Sequence, residues 1–137
     1  MRVFFDANVL FSAAKSDGAV RALVHRLLEA GHECGVDTYV AEEARRNLAV
    51  KGTPALHAFE TLIARVHVAA AAPAGRADDA DTRWLPQNDR PVLAAAIRLR
   101  CDALVTGDRT PFGAGYGQRF GGVAVHSPRS LAEWLLA

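Results

Sequence analysis

Five short runs of apolar or β-favouring residues, Val3 to Phe5, Glu33 to Asp37, Val66 to Ala69, Ala103 to Val105 and Val123 to Val125, are separated by stretches whose apolar residues recur at helical spacing. Runs of this length are too short for helices. Val3-Phe4-Phe5 is continuous and bulky, as in a strand buried on both faces. Between the runs, Val20, Leu23, Val24, Leu27 and Leu28 mark a helix that Gly31 would end. Asp37 or Thr38 caps a second helix running to about Val50, and Gly52 with Pro54 breaks it before a third from Ala55 to about Arg65. A fourth opens on an Asn88 cap with Asp89 in its first turn, followed by Val92, Leu93, Ala96 and Ile97. Ser127 and Pro128 begin a terminal helix in the favoured cap and first-turn arrangement. Two stretches read as loops: Ala70 to Gln87, with one helical turn, and the glycine-rich Gly113 to Gly122. This alternation predicts an α/β fold, a parallel β-sheet flanked by helices on both faces, and 137 residues suit one domain.

The formal net charge of +1 gives no global field to gather nucleic acid, so any phosphate binding must come from a local patch. Cys34 and Cys101 stand far apart and outside any C-x-x-C spacing, which predicts two buried, reduced thiols and no zinc knuckle. The opening MRVFFDANVLFSAA is interrupted by Asp6 too early for a signal peptide or a membrane span, so the expectation is a cytoplasmic protein without a membrane partner.

In a parallel sheet the ligand site lies beyond the carboxyl ends of the strands, and this rule sorts the acids by edge. Asp6 and Asp108 directly follow strands, while Glu43 and Asp89 fall in the first two turns of helices that start on the same edge. Glu29, Glu33 and Asp102 fall on the opposite edge. Four carboxylates converging on one rim repel one another unless a cation neutralises them, and an all-oxygen donor set suits Mg²⁺ or Mn²⁺. Two such ions activate a water and stabilise the leaving oxygen in phosphodiester hydrolysis. The chain has no G-x-S-x-G, no Walker-type loop and no G-x-G-x-x-G after a strand to support another chemistry. Taken singly, each acid also has a structural reading, as a turn residue, a first-turn helix acid or a surface charge. His25, His32, His57, His67 and His126 share no ligand spacing, and Tyr39, Trp84, Tyr116 and Trp134 are too scattered for a stacking platform and read as packing residues.

These segments resemble the PIN-domain ribonucleases, a family that includes the toxins of many bacterial toxin–antitoxin pairs. VFFDANVLFSA is similar to the family's first strand and acid, YVAEEARRNL to its second-acid helix, and NDRPVLAAAIRLRCDALVTGDRTPFG to its third and fourth acids. VAVHSPRSLAEWL resembles the C-terminal strand and helix. The resemblance implies a Mg²⁺- or Mn²⁺-dependent endoribonuclease in which Asp6, Glu43, Asp89 and Asp108 bind metal and activate water, with Asn8 and Thr106 as supporting polar residues. It implies RNA as substrate and admits an antitoxin protein and a second copy of the chain as partners. Pro111 departs from the usual pattern after the TGD turn, and the segment from Pro73 to Gln87 has no counterpart, leaving Asp78, Asp79 and Asp81 as solvated loop acids.

The adjacent glutamates leave the second acid open between Glu42 and Glu43. Neighbours on a helix point about 100° apart, so both cannot face one site. Val40, Ala41, Ala44 and Leu48 form the apolar stripe, with Glu43 at its margin beside Asn47, whereas Glu42 lies opposite with Arg45 and Arg46 at ion-pair spacing. The phase favours Glu43. Two other functions remain: a PIN-like RNA- or protein-binding module without catalysis, against which all four acids stand, and a free-standing housekeeping ribonuclease. A haloacid-dehalogenase-type phosphatase needs a second Asp where this chain has Asn8.

Overall fold

The computed structural model describes residues 1–72 and 80–136, and the expectations for Asp78 and Asp79 lie outside them. Strands β1 (Arg2–Phe5), β2 (Glu33–Asp37), β3 (His67–Ala69), β4 (Ala103–Val105), β5 (Arg119–Phe120) and β6 (Val123–His126) form one sheet in the order β3-β2-β1-β4-β6-β5. All neighbours are parallel except β5 against β6. The chain therefore steps outward from β1 to β2 and β3, then returns to pair β4 on the other side of β1. That reversal opens a crevice beyond the carboxyl ends of β1 and β4.

Successive strand residues point to opposite faces, and Val3, Phe4 and Phe5 are all fully buried, as are Leu104 and Val105. Both faces of the central sheet are thus covered, as continuous apolar strands require. The cover comes from α1 (Ala7–Lys15), α2 (Ala19–Glu29), α3 (Thr38–Ala49), α4 (Thr53–Ile63), α5 (Arg90–Arg98), the short α6 (Arg109–Phe112) and α7 (Pro128–Leu136). Among the described residues none of these is long and apolar enough to cross a membrane. Cys34 and Cys101 are free and buried.

Several expectations need correction. The single helix expected after β1 is two, because Ser16, Asp17 and Gly18 interrupt it; α1 starts at once behind Asp6 and buries Val9, Leu10, Ala13 and Ala14 at helical spacing. Asn88 does not cap α5. A 3₁₀ turn, Gln87–Asp89, leads into the helix, Asp89 takes the cap position without a side-chain capping bond, and Pro91 occupies the first turn, where its missing N–H costs nothing. The glycine-rich stretch is also partly ordered, since residues Gly113–Gly115 form a 3₁₀ turn and Arg119–Phe120 pairs as an antiparallel edge strand. Arg45 does not pair with Glu42. It bonds Glu60 of α4 at 2.7 Å, because α4 runs beside α3 and brings that carboxylate within reach, both side chains staying partly exposed to solvent.

Trp84 fixes the glycine-rich stretch to the rest. Its ring stacks on Phe120 at 4.6 Å between centroids, meets Phe112 edge-on at 6.2 Å, and its Nε1 donates to the Asp81 carbonyl at 2.8 Å. A Cβ on Gly115 would lie 2.4 Å from Trp84 Cη2, whereas one on Gly113 would sit at an ordinary 3.9 Å from Arg109 Cβ. Gly115→Ala is therefore expected to lower unfolding free energy by about 1–3 kcal/mol in urea melts, the range for overpacking, with Gly113→Ala near neutral. Equal stability of Gly115→Ala and the parent would contradict this packing.

Candidate active site

Asp6 sits where β1 ends. Its backbone N–H still bonds the Val105 carbonyl at 3.0 Å, so the β1–β4 pairing runs to the rim and fixes the residue between the two strands. The side chain is only 6% exposed. Oδ1 accepts from the Ala7 N–H at 2.8 Å, making Asp6 the cap of α1, and Oδ2 accepts from Thr106 Oγ1 at 2.8 Å and Asn8 Nδ2 at 3.2 Å.

Asn8 and Thr106 tie the two strand ends together. Asn8 Oδ1 accepts from the Gly107 N–H at 2.8 Å, Thr106 Oγ1 accepts from the Asp108 N–H at 3.2 Å, and Tyr116 donates its hydroxyl to the Thr106 carbonyl at 2.7 Å. The Thr106-Gly107-Asp108 turn is thereby held against the start of α1, with Asp108 on its exposed side.

Asp6, Glu43, Asp89 and Asp108 all line one open cavity of about 670 Å³. Glu43 reaches it from α3 and Asp89 from the start of α5, both half-buried. Glu42 is exposed and does not line it. Asp37, buried at the end of β2, caps α3 by accepting from the Val40 N–H at 2.9 Å and stays outside the cavity.

Crowding of the acids shows in their proton affinities. Burial pushes the Asp6 carboxyl up from 3.8 to about 6; the Thr106 and Ala7 hydrogen bonds oppose this, and the charges of Glu43 and Asp108 add to it. Burial also raises Asp89, with Asp108 contributing. Tyr39 is raised by burial and then by Glu43 and Asp89.

The donor set fits a hard divalent ion: every acidic ligand offers oxygen, and a rim that holds a proton on Asp6 up to about pH 6 gains from a positive charge. Among the described residues no three Asp, Glu, His or Cys side chains are close enough together to cage an ion as they stand. Asp6 is fixed, whereas Glu43, Asp89 and Asp108 face an open cavity into which they can turn.

Sequence reasoning missed part of the lining. Tyr39, Arg46, Val50 and Lys51 share the cavity with Glu43, as does Asn47, which the helix phase already sets beside it. The signal was their spacing, since positions 39, 43, 46, 47 and 50 form one helical face. Tyr39 is not the expected packing residue but is 44% exposed; Trp134, at 55%, also differs from that expectation.

Residues 2–110 match the PIN domain. The sequence has no match among curated proteins. In three dimensions the chain is similar to one in the crystal structure of VapBC2 from Rickettsia felis bound to a DNA fragment from their promoter, with a TM-score of 0.62 over 93% of this chain and 98% of that one. At 11% identity that likeness speaks for the fold alone. With 109 of its 137 residues inside the matched region, the chain belongs to the PIN-domain family.

Proposed function

We propose that this protein is a divalent-metal-dependent endoribonuclease and the toxin of a toxin–antitoxin pair, with Asp6, Glu43, Asp89 and Asp108 as its catalytic, metal-holding residues. The observation that carries the reading is the meeting of four carboxylates round one cavity at the sheet's reversal point. Mg²⁺ or Mn²⁺ bound there supplies Lewis-acid activation of a water and neutralises charge on the leaving oxygen. The chain's own part is positional. Thr106 and Asn8 hold the Asp6 carboxylate in one orientation, and their bonds to the Gly107 and Asp108 amides fix the turn that carries Asp108. Glu43 and Asp89 close the site from two helices. For the toxin role, the support is the resemblance to PIN toxins and the fold shared with a chain crystallised in VapBC2 on promoter DNA. A partner that blocks this site would carry a cation into it.

Purified protein is expected to cut RNA with Mg²⁺ or Mn²⁺ and to stop in chelator. Asp6→Asn and Asp108→Asn should each slow cleavage on the order of 10²-fold or more. Glu43→Gln should abolish cleavage, while the exposed Glu42→Gln stays within about threefold of the parent and changes stability by under about 0.5 kcal/mol. Full activity in chelator or in either Asp variant would sink the assignment, and a reversed pattern at 42 and 43 would reassign the second acid. Expression of the chain alone should slow bacterial growth, and the Asp6→Asn form should not.

A stability measurement tests the same site without cleavage. An acid whose proton affinity is raised on folding favours the folded state while protonated, so the Asp6 penalty is absent below about pH 4, grows to about pH 6 and is complete above it. The rise from 3.8 to about 6 corresponds to about 3 kcal/mol. In chelator, the unfolding free energy should fall across that window, Mn²⁺ at pH 7.5 should restore it, and Asp6→Asn should flatten the slope. The same pH slope in the chelated parent and in Asp6→Asn would show that Asp6 is not strained in this way.

A further inference from the structure

Thr106 carries an acceptor that the sheet cannot satisfy. The residue is fully buried directly after β4, where its N–H donates to the His126 carbonyl at 3.0 Å. In the parallel pairing of β4 with β6 its own carbonyl would next take the N–H two residues beyond His126, and that residue is Pro128, which has none. A buried carbonyl needs a donor, and here it comes from outside the sheet: the Tyr116 hydroxyl, at 2.7 Å. That carbonyl shares one planar peptide unit with the Gly107 N–H, which donates to Asn8 Oδ1 at 2.8 Å. Tyr116 and Asn8 thus grip the unit from its two sides. The same unit joins Thr106, whose hydroxyl bonds Asp6, to the turn that carries Asp108.

Tyr116 is itself held from behind. The following amide, Gly117, donates to the Val125 carbonyl at 2.9 Å, and Trp84, stacked on Phe120, lies over the preceding Gly115 so closely that a Cβ there has no room. Gly115, Tyr116, Gly117 and Phe120 all lie beyond residues 2–110, the part of the chain that matches the PIN domain. Tyr116 does not line the acidic cavity, so its hydroxyl acts through Thr106 alone. We infer that Tyr116 is a positioning residue for the metal site: from the far side of Thr106 its hydroxyl sets the peptide plane that spaces Asp108 from Asp6, and Trp84 over Gly115 keeps the hydroxyl there. The inference rests on the metal-dependent ribonuclease reading above. Without the hydroxyl the Thr106–Gly107 peptide keeps one grip of two, and the turn presents Asp108 in several orientations. An ion then binds only the competent fraction, and a site competent a tenth of the time binds about tenfold more weakly.

The test is Mn²⁺ binding to the full chain at pH 7.5, read from the electron paramagnetic resonance of free Mn²⁺, in the parent, Tyr116→Phe, Gly115→Ala and Asp6→Asn, with urea melts to establish that each is folded. Tyr116→Phe keeps the ring and loses only the donor. Its Mn²⁺ affinity should fall about tenfold, the lower end of the range for partners that orient metal ligands. At saturating Mn²⁺ its kcat for RNA cleavage should also fall about tenfold, with KM within about twofold of the parent. Gly115→Ala, which displaces Trp84 or Tyr116, should weaken Mn²⁺ binding at least threefold. A purely structural role would lower stability and leave Mn²⁺ affinity where it was. Either variant binding Mn²⁺ as tightly as the parent, or a Tyr116→Phe effect confined to KM, would therefore overturn the inference. Asp6→Asn separates the two claims: weakened Mn²⁺ binding there with none in Tyr116→Phe sinks the brace alone, and a parent that binds no Mn²⁺ sinks the metal site and the brace with it.

Discussion

The carboxylate of Asp6, 6% exposed at the end of the central strand, is the constraint round which the rest of the molecule is arranged. A buried charge must be hydrogen-bonded, and here three partners come from two elements at once: the first amide of α1 and Asn8 one residue further on in the same helix, and Thr106 directly after β4. Satisfying that one group therefore fixes where α1 begins and how β1 and β4 end together. The same bonds hold the turn that carries Asp108. Fold and site share these contacts, and neither would survive their loss unchanged.

The arrangement places repulsion where the fold is otherwise strongest. Burial and the neighbouring charges of Glu43 and Asp108 raise the Asp6 carboxyl to about 6, a cost borne by the fully buried strands beneath it. Shifted proton affinities of this kind cluster at functional sites. Helix α3 shows the same division on a smaller scale, one face packed on the sheet and the other left polar, aromatic and uncompensated beside the acids.

Much of this was legible in the sequence because the relevant signals are local. Continuous Val3-Phe4-Phe5 declares a doubly covered strand, β2 lies at Glu33–Asp37 as expected, and the edge rule alone brought Asp6, Glu43, Asp89 and Asp108 to one rim. It also sent Glu33 and Asp102 to the far edge, where both meet Arg2. What stayed hidden depends on tertiary partners. Arg45 has Glu42 at ion-pair spacing along its own helix, yet Glu60 of the next helix takes it. The exposure of Tyr39 depends on what α3 packs against. The β5 pairing needs two glycines, Gly121 and Gly122, in left-handed conformation, which spacing alone does not reveal. Helix α1 is a different case: Val9, Leu10, Ala13 and Ala14 carry the helical spacing in the sequence itself, directly behind Asp6.

The account stands or falls on whether a divalent ion occupies the space between the four acids. Crystals soaked in Mn²⁺ and measured at the manganese absorption edge would decide it. The expected result is one or two anomalous peaks bounded by Asp6, Glu43, Asp89 and Asp108, with the three cavity-facing acids turned inward and Asp6 unmoved. A fully soaked crystal with no peak in that cavity, or with its peaks only elsewhere, would contradict it.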